Sequence, residues 1–182
     1  MRQTMRRLLQ TIRFERDPVV WMDFDDRATG DAFILVAVTR FLLFLGLIGF
    51  AGFRDLLNFA FLELLIRFMI QGLVFWLVYS AIVWAIQRFL FQRDGNYQVI
   101  LRLAGFAYPT VLVTIAAVQL LSPNSTTGFT MANAIGSLWF VAIMAKGMDY
   151  IAELDLPRGS LAAVGGWVGY VVINAILNGL PI

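Results

Sequence analysis

Long apolar stretches constrain the fold of this chain more than any other feature. Five of them, at residues 32–53, 68–87, 97–121, 129–150 and 160–180, are each about 20 residues long or more and contain few charges. An α-helix rises about 1.5 Å per residue, so each stretch is long enough to cross the roughly 30 Å hydrocarbon core of a bilayer. Inside lipid a helix satisfies its own backbone hydrogen bonds. The sequence therefore predicts an all-α integral membrane protein, a bundle of five transmembrane helices.

The composition agrees with this class and excludes several kinds of chemistry. Hydrophobic residues make up 60% of the 182 residues, charged residues 14%, and the mean hydropathy is +0.77; soluble domains are only about 45–50% apolar. The chain has no cysteine and no histidine, which excludes thiol nucleophiles, disulfides, Ser-His-Asp triads and the commonest zinc ligands. We therefore expect no enzyme activity, no catalytic, cofactor or metal site, and no nucleic-acid partner.

Residues 1–31 form a polar segment ahead of the transmembrane domain at residues 32–182. One helical face of residues 1–14 is apolar: Met1, Met5, Leu8, Leu9 and Ile12. Four arginines point largely elsewhere: Arg2, Arg6, Arg7 and Arg13. This pattern is typical of an amphipathic helix that binds an anionic lipid surface, and equally of a helix that packs on its own protein.

Residues 15–31 read as a polar connector with a cluster of aspartates: Asp23, Asp25, Asp26 and Asp31. Closely spaced carboxylates can bind calcium or magnesium. The glycine and the ligand spacing of an EF-hand loop are absent, however. We interpret the cluster as a solvated segment beside the membrane, balanced by neighbouring arginines.

Arg40 lies inside the first predicted span, about a third of the way along it. A cation at such a depth costs about 3 kcal/mol unless it reaches the surface, a wet cavity or a carboxylate. Lys146 and Asp149, three residues apart near the end of the fourth span, can pair with each other. Asp149 is also the partner that we expect for Arg40, because both lie in the same half of the membrane.

Pro109 interrupts the third span. It donates no backbone hydrogen bond, and its ring presses on the carbonyl group four residues earlier, which belongs to Gly105. A glycine at that position eases the crowding and leaves room for a neighbouring helix. The pair predicts a kinked helix into which other helices pack.

Two of the predicted spans have a helix face made of small residues. Gly46, Gly49 and Gly52 recur every three residues in the first span. In the fifth span Gly165 and Gly169 form a GxxxG pair, with Gly166 beside them. Such faces let helix backbones approach closely, so we expect them to mediate helix packing and contacts with partners.

Between the first two spans, residues 54–67 mix leucine and phenylalanine with charges, which predicts an interfacial amphipathic helix.

The cations are distributed unevenly across the predicted membrane. Eleven of the 14 lysines and arginines fall on the side of the N terminus, and only Arg54 and Arg67 fall on the other side. Cytoplasmic segments carry the excess of positive charge. The N terminus is therefore predicted to be cytoplasmic and the C terminus to lie outside.

Two regions resemble the Yip1 domain family of five-span membrane proteins. One runs from Gly95 through Leu101-Arg102 to the sequence at residues 105–109, Gly-Phe-Ala-Tyr-Pro. The other includes residues 138–139, 146–148 and 157–162. The resemblance covers about residues 25–180, and the short N-terminal segment is similar to that of bacterial members. It implies a five-helix domain in the cytoplasmic membrane of a prokaryote, and it implies no catalytic residues.

Three functions stay open. The first is a non-catalytic scaffold or accessory subunit that contacts membrane lipids and binds other membrane proteins, or itself, through the glycine faces. The second is a small transporter or channel that uses the kinked third span and Arg40. The third is a membrane-shaping or trafficking-type factor that uses the amphipathic helices as wedges.

Overall fold

The computed structural model describes residues 2–51, 59–113 and 126–179, with side chains over residues 3–46, 61–113 and 134–176. All secondary structure in these ranges is helical. The seven α-helices are α1 (Arg2–Ile12), α2 (Asp17–Phe24), α3 (Arg27–Ala51), α4 (Phe59–Ala85), α5 (Tyr97–Ala107), α6 (Thr126–Ala152) and α7 (Leu156–Gly179). A π-helical turn, Ile86–Leu90, continues α4, and a 3₁₀ segment, Tyr108–Leu112, continues α5.

Four of these helices are long and apolar enough to cross a membrane. Their apolar stretches are Arg27–Gly46, Phe61–Leu90, Ala134–Ala152 and Leu156–Ile176. The predicted all-α fold is therefore confirmed over the described residues, and four of the five predicted spans correspond to helices that could cross a membrane. The third predicted span, at residues 97–121, is described only as far as residue 113, as α5 and the 3₁₀ segment.

Helix α5 lies at the centre of the bundle. Every residue from Val99 to Ala107 is buried, because α3, α4 and α6 all pack against this helix. The indole N–H of Trp76 in α4 donates a 2.8 Å hydrogen bond to the carbonyl oxygen of Leu101. Helix α7 packs on α4 and α6 at the side of the bundle, and the hydroxyl group of Tyr79 donates to the carbonyl oxygen of Ala163 in α7 at 3.2 Å.

The polar connector before the first span is largely helical. Pro18 stands in the first turn of α2, where its missing N–H removes no helical hydrogen bond. Asp25 then caps α3, since its carboxylate accepts the backbone N–H of Arg27 at 3.0 Å. Helix α3 therefore begins five residues before the predicted start of the span, through polar residues that hydropathy alone leaves out.

The separate interfacial helix predicted over residues 54–67 is not found in its described part. Residues 59–67 are the first turns of α4, which continues without a break into the second span. This part of the sequence has neither proline nor glycine to end a helix. Glu63 and Arg67 also form an exposed pair one turn apart, at 3.3 Å. Residues 54–58 lie outside the described ranges.

Candidate functional site

Helices α1 and α2 form a collar around one end of the bundle. Helix α2 packs on α5 and α6, and α1 packs on α2 and α5. The turn at residues 91–96 and the end of α6 meet α2 at the same end, where they line a common cleft. We call this the collar end. Most of the arginines of the chain lie in the segments that meet here.

Arg102 fastens the collar to the central helix. Its side chain is only 3% exposed, and it donates hydrogen bonds to three parts of the chain. Its Nε donates to the hydroxyl group of Thr29 at 2.7 Å, its Nη1 donates to the carbonyl oxygen of Met22, and its Nη2 donates to the carboxylate of Asp26 at 2.9 Å. The side-chain amide of Gln98 accepts a longer bond of 3.4 Å.

These acceptors explain why an arginine is needed at this position. The carbonyl group of Met22 belongs to the last turn of α2, where carbonyl groups have no partner within the helix. Asp26 and Thr29 lie at the start of α3. One planar guanidinium group with several fixed donors therefore joins the end of α2 and the start of α3 to α5. This group is the main polar contact that orients the collar relative to the bundle, and the packing of Trp21 on Phe106 adds to it.

Sequence reasoning missed this role of Arg102 and counted it only as a cation on the N-terminal side. The available signal was that Arg102 is the single charge in an otherwise apolar and uncharged helix. A charge at such a position is rarely buried without partners. The aspartates earlier in the chain were the obvious candidate partners for Arg102.

The aspartate cluster separates into individual contacts. Asp26 pairs with Arg102, whereas Asp25 accepts the indole N–H of Trp21 at 3.0 Å and also caps α3. Asp31 accepts the hydroxyl group of Thr4 at 2.8 Å, which ties α1 to α3. Over residues 2–51, 59–113 and 126–179, acidic side chains form no group that could hold a metal ion.

An end cleft of about 210 Å³ opens beside α2. Its walls come from α2, the turn after α4, the start of α5 and the end of α6: Val19, Val20, Asp23, Phe24, Asp94, Asn96, Val99, Tyr150 and Ile151. Phe24 is 83% exposed at its mouth. Of its two carboxylates, Asp94 is paired with Arg88. The cleft thus combines an exposed aromatic ring with acidic side chains.

A second and larger cavity, the flank groove, runs between α1 and α3 and measures about 960 Å³. It is lined by Thr4, Met5, Arg6, Leu9, Gln10, Arg13, Glu15, Asp31, Ile34, Leu35 and Val38. The apolar face of α1 is divided between the protein and this groove. Leu8 is buried against the bundle, whereas Met5 and Leu9 stay exposed along the groove.

The four arginines expected at a lipid surface have different surroundings. Arg6 and Arg13 are exposed beside the flank groove. Arg7 instead lies over the ring of Trp21, with the guanidinium carbon 5.5 Å from the ring centre. The side chain of Arg2 lies outside the described residues.

Arg40 does not pair with Asp149. Its guanidinium group lies over the rings of Phe68, at 4.8 Å, and Tyr108, at 5.7 Å. Gly72 of α4 makes room for it, since a Cβ atom there would overlap the arginine. Asp149 is paired with Lys146 at 2.7 Å.

The expected Arg40–Asp149 pair fails because the two residues differ in depth. Helix α3 begins at Arg27, so Arg40 stands 13 residues, or about 20 Å, from the collar end. Asp149 is three residues, or about 5 Å, from the end of α6 at the same side. An arginine side chain is too short to cover the difference of roughly 15 Å.

The structure shows the surroundings of the predicted kink and of several of the glycines predicted to mediate helix packing. The α-helix changes to a 3₁₀ segment at Tyr108-Pro109. A Cβ atom at Gly105 would lie 2.5 Å from the Cβ of Ala32 in α3, so this glycine allows a close helix contact. Three glycines of α7 contact α4 or its π-helical continuation in the same chain: Gly165 faces Ile86, Gly166 faces Val83 and Gly169 faces Ile82. Gly46 is partly buried; Gly52 and the surroundings of Gly49 lie outside the described residues.

No protein-family model, curated protein or solved structure matches this chain. Its function is therefore inferred from the contacts of its own residues.

Proposed function

We propose that this protein is a non-catalytic membrane scaffold or accessory subunit, and that it binds another integral membrane protein at its collar end. The observation that carries this proposal is Phe24, 83% exposed at the mouth of the end cleft on a helix that Arg102 holds in place. An aromatic side chain beside a preformed cleft is typical of the residues that dominate protein interfaces. Because the collar is already ordered, a partner loses little free energy in ordering it.

The chemistry of the end cleft indicates what kind of segment binds there. Asp23 gives it a carboxylate, and Asp94 adds a second one that is already paired with Arg88. Val20, 44% exposed, and Phe24 give it an apolar rim. A segment with lysine or arginine next to an apolar side chain complements this surface. Such segments flank transmembrane helices on the cytoplasmic side, so the partner is another membrane protein or a second copy of this chain.

The glycine faces have a smaller role in this proposal than the sequence indicates. Gly165, Gly166 and Gly169 are in contact with α4, or with the π-helical turn that continues it, in the same chain. A partner helix could use that face only by displacing α4. The collar end, by contrast, exposes further large apolar side chains without any such displacement, including Phe89 at 75% and Leu90 at 62%.

Site-specific photo-cross-linking in membranes tests the proposal. A photoreactive amino acid at Phe24 is expected to form a protein adduct of defined mass, and Asp23→Lys is expected to remove that adduct. The same amino acid at Val172, 50% exposed on α7, is the matched control and is expected to contact lipid only. The absence of a protein adduct at Phe24, or equal adducts at both positions, would refute the proposal.

The proposal also includes the number of spans, the orientation of the chain in the membrane and its family. The chain has five spans, an N terminus in the cytoplasm and a C terminus outside, and it is a bacterial-type member of the Yip1 domain family in the inner membrane. The uneven distribution of arginines and the apolar residues 97–121 support this assignment.

Since the natural chain has no cysteine, the variants Arg158→Cys and Asn124→Cys test the orientation by labelling with an impermeant maleimide in intact cells. Labelling is expected at position 124 only, and labelling at position 158 would reverse the orientation.

A further inference from the structure

We infer that the flank groove between α1 and α3 binds a phospholipid whose head group carries a primary ammonium group, such as phosphatidylethanolamine. This inference is independent of a protein partner at the end cleft. It rests on where the groove opens, on which charges line it and on one polar atom that has no described partner.

The groove opens on the side of the protein that faces lipid. Its α3 wall is formed by Ile34, Leu35 and Val38, and Ile34 and Val38 are 54% and 49% exposed. The next exposed residues along α3 are also apolar, among them Phe41 and Leu42. The apolar wall of the groove therefore continues into the membrane-facing surface of a candidate membrane-spanning helix. An acyl chain is the occupant that the bilayer supplies at this position.

The α1 wall brings polar groups of both signs to the same groove. Arg6 and Arg13 supply guanidinium donors, and they are seven residues, or about 10 Å, apart along α1. Glu15 and Asp31 supply carboxylates. A purely anionic ligand matches the arginines but not the carboxylates, whereas a zwitterionic head group matches both.

Gln10 provides the most specific feature. Its Oε1 atom is buried and accepts no hydrogen bond from any residue whose side chain is described. The chain reverses at Phe14, which has φ of 60°, and the backbone N–H of Glu15 then donates to the carbonyl oxygen of Gln10 at 3.0 Å. This turn brings the backbones of Gln10 and Glu15 together, and both residues line the groove.

Head-group chemistry decides between the common phospholipids. A phosphate accepts hydrogen bonds from arginine in any of them. A primary ammonium group has three N–H donors, which match the carboxylates of Glu15 and Asp31 in the groove wall and, after a rotation of its side chain, the amide oxygen of Gln10. The choline head group has a positive charge but no N–H donor, and the glycerol head group has no positive charge. The size of the groove, about 960 Å³, lies within the range of ligand-binding clefts.

Native mass spectrometry of the full chain in detergent tests this assignment with three lipids that have identical acyl chains. Phosphatidylethanolamine is expected to bind at least about tenfold more tightly than phosphatidylcholine or phosphatidylglycerol, a ratio that one charge-assisted hydrogen bond supplies. Gln10→Met and Glu15→Gln are expected to reduce this preference. Glu63→Gln, which changes an exposed carboxylate on α4, is the matched control and leaves it unchanged.

A second variant separates the groove from the rest of the lipid-facing surface. Val38→Trp fills the groove from a position that is 49% exposed, so the bundle retains its fold while the tight lipid is lost. Equal binding of the three lipids, or tightest binding of phosphatidylglycerol, would overturn the head-group assignment. Tight binding that survives Val38→Trp would overturn the location. A photo-adduct with protein at Leu9 would identify a peptide as the occupant and likewise contradict the inference.

Discussion

Replacing Arg102 with methionine tests the claim that one side chain holds the collar on the bundle. Methionine keeps an unbranched apolar stem, so the change removes the guanidinium donors while the packing of the stem is largely preserved. It leaves the carbonyl group of Met22 and the hydroxyl group of Thr29 without their partner. Hydrogen bonds to a charged group contribute about 1.5–3 kcal/mol each. The ion pair with Asp26 adds less than about 1 kcal/mol, because the Asp26 side chain is fully exposed.

Two such bonds give an expected loss of at least about 3 kcal/mol in the free energy of opening the collar. Hydrogen exchange measures that opening directly, because amides exchange through local unfolding. A loss of 3 kcal/mol lowers the protection of the α2 amides by about 100-fold. The amides at residues 73–84 of α4 serve as the internal reference and are expected to keep their protection, since the bundle itself does not open.

Asp26→Asn is the matched control for this experiment. It removes the exposed charge but keeps an acceptor for the Arg102 guanidinium, so the protection of α2 is expected to fall by less than about fivefold. Unchanged protection of α2 in Arg102→Met would refute the clamp. A parallel loss in α4 would show instead that Arg102 supports the whole bundle.

Three further experiments test the helix contacts. Gly105→Ala is expected to lower the free energy of unfolding in detergent by about 1–3 kcal/mol, because the new methyl group meets α3; Gly30→Ala, with open space around it, is expected to raise it by up to about 1 kcal/mol. Combining Arg40→Met with Phe68→Ala is expected to show a coupling of about 0.5–2 kcal/mol, and additive effects would exclude the cation–π contact. Gly166→Val is expected to cost about 1–3 kcal/mol by pushing α7 away from α4, and a neutral result would contradict that packing.

The membrane class of the fold was predictable because it depends on local properties of the chain. The length of an apolar run and its hydropathy decide whether a helix can cross a bilayer. Lys146 and Asp149 were likewise predictable as a pair, since a spacing of three places them on one helix face. The capping of α3 by Asp25 is also a local signal, although hydropathy outweighs it when the spans are drawn.

The partners of Arg102 and Arg40 were only partly predictable, because they depend on which helices are neighbours. In helix α5 only Gln98 and Arg102, one turn apart, mark a polar side, and this pattern does not indicate which helix faces it. Arg40 finds two aromatic rings instead of a carboxylate. Counting the lysines and arginines on each side of the membrane identifies neither contact, because such a count does not separate a buried cation from an exposed one.

The end cleft and the flank groove depend on the same clamp, but each also has residues that the other lacks. Experiments can therefore separate them. Both have a wall on the collar, so loosening the collar with Arg102→Met is expected to weaken the protein adduct at Phe24 and the lipid preference together. Phe24→Ser changes only the exposed rim of the end cleft and is expected to leave lipid binding unchanged. Val38→Trp fills only the groove and is expected to leave the adduct unchanged. If either of these two changes abolished both signals, the two surfaces would be one site, and a lipid at the groove would be part of how the partner is bound.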